Sequence, residues 1–118
     1  MVNLLRGDVA IKLLDTVYAL RPTFETLSAI EANAGKSVMT LAEECASGKI
    51  SLTDMVSVIN HAVQSADGNT LTKEVLGNEI IRQGVGNILV PVSQFLSVAL
   101  TGEVPQEKKP EVTQETSG

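Results

Sequence analysis

Hydrophobic and polar positions first alternate and then recur at helical spacing along this chain. In "DVAIKLLDTVYALR", residues 8–21, Val9, Ile11 and Leu13 share one side, with Asp8 and Lys12 on the other. After a break at Asp15-Thr16, Tyr18 and Leu20 alternate with Val17 and Ala19, which predicts a β-hairpin. Two strands alone are marginal in water, so the hairpin must lean on helices. Pro22 ends the extended segment, and Thr23 is placed as the N-cap of a helix running to about Ala34. Phe24, Leu27, Ile30 and Ala34 trace its apolar stripe, with Gly35 as its stop.

A second helix starts at Ser37. At ~100° per residue Val38, Leu41, Ala42 and Cys45 fall on one side, Glu43 and Glu44 point to solvent, and Gly48 ends it. The third opens with Ser51 as N-cap and Asp54 at N3, a capping-box arrangement, while Ile50 and Met55 have the spacing of a hydrophobic staple. Leu52, Met55, Val56, Ile59 and Val63 form its buried stripe. "ADGN", 66–69, reads as a turn, and a fourth helix spans about Thr72 to Gln83. A fifth, roughly Asn87 to Thr101, has Pro91 in its first turn, where proline costs least, and ends at Gly102. The expected fold is mainly α with a small N-terminal β-hairpin (α+β): about five short helices packed as one domain over residues 1–102.

The fifth helix is apolar around most of its circumference. It is therefore either central or presents a second face to a partner, and its pattern leaves both open. If it docks a partner, Ile88, Leu89, Val92, Phe95, Leu96 and Leu100 are the candidate contacts. Phe95→Asp with Leu96→Asp separates the two, since unfolding of the isolated domain would make those residues core. Beyond Gly102, "EVPQEKKPEVTQETSG" has two prolines, six charges and little to bury, the composition of a disordered tail over 103–118.

Composition narrows the function classes. Only Tyr18, Phe24 and Phe95 are aromatic, too few for stacking platforms that hold bases or sugars. The net charge is −5 and the basic residues are scattered, so no nucleic-acid footprint exists. An acidic chain also gains nothing at an anionic membrane surface. No apolar run has the length of a membrane span, and the start lacks a signal-peptide pattern. One cysteine excludes an internal disulfide and suits a reducing cytoplasm.

Candidate chemistry is sparse. "LAEECASGKISLTDMV", 41–56, gathers two glutamates, the cysteine, a lysine and an aspartate. Cys45, however, lies on an apolar stripe in the last turn of its helix, where neither dipole nor cation lowers a thiol's pKa. Adjacent glutamates diverge by ~100° and form no acid/base pair. His61 falls opposite the third helix's stripe, exposed and without a fixed partner. One histidine and one cysteine at this spacing build no metal site and no nucleophilic triad. "SADGNTLTKE", 65–74, matches some ligand positions of a calcium loop, but Val63 falls at the first one. "GVG" at 84–86 lacks a preceding strand, and "RGD" at 6–8 reads as chance. No catalytic, cofactor or metal site emerges.

The order of elements carries more. "RG" with a following acid, "LRPTF..L.AIE...G" and "LA......G.IS..D...VI" together resemble the small tail-protein family of gene transfer agents and related phages of alphaproteobacteria, within the tail assembly chaperone group. The resemblance covers about residues 3–101. Asp15-Thr16 departs from the family's frequent glycine after Asp in the turn, and the tail beyond Gly102 is longer than the family core. The resemblance implies a non-enzymatic assembly protein in the cytoplasm of the bacterial host. Its implied partners are the tape measure protein, whose apolar helices it would keep soluble, and the tail tube protein, with self-association left open. Two other readings stand beside it: a structural subunit of the tail, and a host helical adaptor or regulatory domain.

Overall fold

The computed structural model describes residues 7–67 and 71–102. Its elements in chain order are β1 (Val9–Leu13), β2 (Thr16–Leu20), α1 (Phe24–Ala34), α2 (Val38–Ala46), α3 (Leu52–Asp67), α4 (Lys73–Gln83) and α5 (Val85–Thr101). The expected hairpin and five helices are all present. The expected tail, 103–118, lies outside the described residues.

β1 and β2 pair antiparallel with Val9 opposite Leu20, Ile11 opposite Tyr18 and Leu13 opposite Thr16. Those side chains share one face, and all but Thr16 are buried, so the period-two pattern sets the register. The turn lies one residue earlier than the sequence suggests. Leu14 and Asp15 form the loop, both with left-handed backbones (φ 52° and 65°), the type I′ geometry that matches strand twist. A leucine in that conformation costs ~1–2 kcal/mol against an ordinary backbone.

The helix starts follow their caps. Thr23 Oγ1 accepts from Thr26 N at 3.1 Å, Ser37 Oγ from Thr40 N at 3.0 Å, Ser51 Oγ from Asp54 N at 3.0 Å and Thr72 Oγ1 from Val75 N at 3.1 Å. Every residue from Asp54 to Asn60 is buried, because α3 is the central helix, with α1, α4, α5 and β2 packed around it. Met55, Val58 and Ile59 sit at the middle of the core with Phe95 and Leu96 of α5.

Three expectations change. Phe24 does not join the apolar stripe of α1 but is 87% exposed. The buried side of α1 is set by Thr26 and Ile30, and Phe24 lies ~160° around the helix from Thr26. α5 begins at Val85, two residues early, so Pro91 stands inside the helix rather than in its first turn. Gly84 makes this possible: at φ 103° and ψ 123° it ends α4 and lets α5 leave at 116° to it. Finally, Ala66 and Asp67 complete α3 rather than opening a turn. The rest of that turn, residues 68–70, which is also the middle of the calcium-loop segment 65–74, lies outside the described residues.

Candidate interaction surface

The motif residues of the N-terminal part prove to be fasteners. Gly7 has φ 83°, a backbone that strains any side chain, and sits close to its neighbours: a Cβ there would lie 3.1 Å from Val98 Cγ1, a tight contact, and 3.6 Å from Pro22 Cγ. The next residue, Asp8, is wholly buried and takes two hydrogen bonds from Arg21, Nε to Oδ1 at 2.8 Å and Nη2 to Oδ2 at 2.8 Å. This bidentate pair is charge-assisted and planar, which fixes orientation as well as distance. It ties the entry of β1 to the exit of β2. The aspartate of "RGD" is therefore not offered to solvent, since it is consumed inside the fold.

Residues 41–56 are a second fastener. Cys45 is buried on α2, and its thiol is pushed up to about 11, chiefly by burial. Such a sulfur is a small apolar group at neutral pH. Glu43 is exposed as expected, but Glu44 is not simply solvated. Lys36, in the loop before α2, donates to Glu44 Oε1 at 3.0 Å and to Asp54 Oδ2 at 2.8 Å. The ammonium is held charged first by Asp54 and then by Glu44. Asp54 thus serves as N3 of the Ser51 cap through its N–H while its carboxylate clamps Lys36. His61 also has a fixed partner, contrary to expectation: its Nδ1 lies 2.8 Å from the Ser57 carbonyl and donates to it.

A third fastener was not read from the sequence. Glu79 on α4 is almost completely buried, and Oε2 accepts from the Leu14 backbone N at 3.0 Å across 65 residues. Arg82 donates from Nε to Oε1 at 2.8 Å and from Nη2 to Oε2 at 2.6 Å, and Gln83 Nε2 donates to Oε2 at 2.7 Å. Gln83 Nε2 also reaches the Lys12 carbonyl at 2.7 Å. Arg82 first, then the Leu14 amide and Gln83, lower the carboxyl from its ordinary 4.5 to about 2. The local signal was the Glu-x-x-Arg spacing in "EIIRQ", but its link to the hairpin is long-range. Among the described residues, no three or more His, Cys, Asp or Glu side chains converge as a metal site would.

The candidate partner residues on α5 are divided. Ile88, Val92, Phe95 and Leu96 are buried against the rest of the domain, Leu89 is half-buried, and Leu100 is 45% exposed. The outward stripe of α5 is Gly86, Val90, Gln94, Ser97 and Thr101, in which Val90 is the one large apolar side chain. The helix is apolar over most of its circumference because α2, α3, α4 and β1 each cover part of it. Exposed apolar groups lie both on α5, at Val85, Val90 and Leu100, and beyond it: Phe24 above all, with Leu14 and Val17 of the hairpin, Met39 of α2, and Val75 and Ile81 of α4. Phe24 was missed because helical spacing alone assigned it to the stripe.

Among the described residues, no single helix is long and apolar enough to cross a membrane. The family described as phage tail tube protein, GTA-gp10, matches residues 6–102, the whole of the described fold. No curated protein and no solved structure matches the chain.

Proposed function

We propose a chaperone-like role in tail assembly for this chain, which belongs to the phage tail tube protein family, GTA-gp10. In this reading it is a non-enzymatic binder in the host cytoplasm that covers apolar helices of a tape measure protein. It holds them soluble and brings tail tube subunits to them. Phe24 is the observation that carries the reading. In Leu20-Arg21-Pro22-Thr23-Phe24 the first four residues each have work inside the fold: Leu20 is core, Arg21 pairs with Asp8, Pro22 packs beside Gly7 and Thr23 caps α1. Phe24 is left 87% in water. An exposed aromatic on a rigid, capped helix start is the kind of side chain that anchors interfaces. Single exposed apolar residues are common on soluble proteins, so the anchor is tested directly. Phe24→Ala should leave the unfolding transition within ~0.5 kcal/mol of wild type. It should weaken capture of the tape measure protein by a factor of ~30 or more, the scale of an interface hot spot. Unchanged capture removes Phe24 from the interface.

A structural subunit of the tail is the second reading, and the family's own description favours it. Against it stands the sheet content: the described residues hold one two-stranded sheet of five-residue strands. A ring closed by β-pairing between copies would have only these short strand edges to use. Recovery of the chain in stoichiometric amount from washed particles would decide for the structural subunit.

A further inference from the structure

We infer that the first two turns of α5, residues 85–91, open locally while the remainder of the helix stays docked, so that the elbow after α4 works as a built-in gate over apolar surface. Four independent features meet there. Gly84, the N-cap, has no side chain and makes no side-chain cap hydrogen bond, unlike Thr23, Ser37 and Thr72. The first-turn N–H groups are thus left with the weakest start of these helices. Gly86 follows at the second helical position, exposed and with nothing within 4 Å of where a Cβ would stand. Pro91 stands inside the helix. Lacking an N–H, it removes the bond to the Asn87 carbonyl and crowds that turn. Burial is also unequal: Val85, Gly86, Asn87 and Val90 are exposed and only Ile88 is fully buried before Pro91, whereas Val92, Phe95 and Leu96 beyond it are all core.

Local opening is favoured where few apolar contacts and weak backbone bonding coincide. Gly84, with its positive φ, supplies a hinge that can absorb the backbone change without displacing α4. Opening exposes Ile88 and the rest of Leu89, apolar groups that the closed fold hides. Their use by an apolar helix of a tail protein rests on the chaperone reading, but the opening itself does not.

Native-state hydrogen exchange on the full chain tests the gate. After correction for intrinsic rates, the Val90 amide should exchange at least ~100-fold faster than that of Leu96, since one opens locally and the other only on deeper unfolding. Pro91→Ala, which restores the bond to Asn87, should narrow that ratio by at least ~10-fold. Exchange at Val90 and Leu96 within ~10-fold of one another, or a ratio that Pro91→Ala leaves unchanged, overturns the inference. Failure of the chaperone reading would leave both rates untouched, so the two outcomes are separable.

Discussion

Replacing Arg21 by methionine keeps most of the side chain's apolar stem and removes only its guanidinium, which makes it a clean probe of the Asp8 clamp. In the wild-type protein Asp8 is wholly buried, with both carboxylate oxygens hydrogen-bonded to Arg21, while Arg21 keeps 19% of its side chain in water. The two single variants are therefore unequal. Arg21→Met removes the guanidinium from a carboxylate that stays in the interior, and breaking a buried pair from one side costs about 3–5 kcal/mol. Asp8→Ala instead leaves a guanidinium that can turn toward solvent, so a smaller loss is expected. The double variant should cost less than the sum by about 2 kcal/mol or more, the signature of two groups that act on each other. A domain of this size has roughly 5–15 kcal/mol of stability in total, so the differences are measurable. Equilibrium urea unfolding at pH 7, followed by circular dichroism with the slope fitted for each variant, reads them directly. Additive single effects, or an Arg21→Met variant within ~0.5 kcal/mol of wild type, would refute the clamp.

Glu79→Gln tests the hairpin brace through pH. Glu79 has its carboxyl lowered from 4.5 to about 2 in the fold, so its contribution is full above 4.5 and is lost as pH falls toward 2. Acid titration of wild-type stability should therefore decline more steeply through that window than that of Glu79→Gln, and parallel curves would count against the brace. Ser51→Ala removes the acceptor for Asp54 N and should cost about 1 kcal/mol in thermal or urea unfolding. Cys45, buried with its thiol raised to about 11, should resist alkylation in the native protein at pH 8 and react once denatured. Rapid native labelling would mean the sulfur is accessible.

Local chemistry was legible wherever a signal and its consequence lie within one turn. Thr23, Ser37 and Ser51 announce helix starts because their hydroxyls serve amides three residues on. Val9, Ile11 and Leu13 announce a strand because one face must be dry. What stayed hidden depends on neighbours distant in sequence. Glu79 reads as a surface helical glutamate until the hairpin tip, 65 residues away, brings the Leu14 amide to it. Phe24 satisfies the spacing of a stripe, but the side of α1 that packs on α3 is chosen by Thr26 and Ile30. α5 posed the same difficulty in reverse: an apolar circumference cannot tell a partner's face from one covered by α2, α3, α4 and β1. Its start was misplaced because Gly84 caps without a side chain, which left Pro91 as the nearest visible marker. The family motif itself was legible as pattern, whereas its physical content, the Gly7 approach and the Asp8–Arg21 pair, needed the fold.

Quantitative mass spectrometry of washed particles, set beside the same chain captured from cells before particles form, tests the central claim most directly. The account predicts that the chain co-purifies with the tape measure protein before assembly, that Phe24→Ala diminishes this, and that purified particles retain it only in trace amount. One copy or more per tail ring in washed particles, with no pre-assembly complex, would contradict a chaperone and make the chain a subunit of the tail.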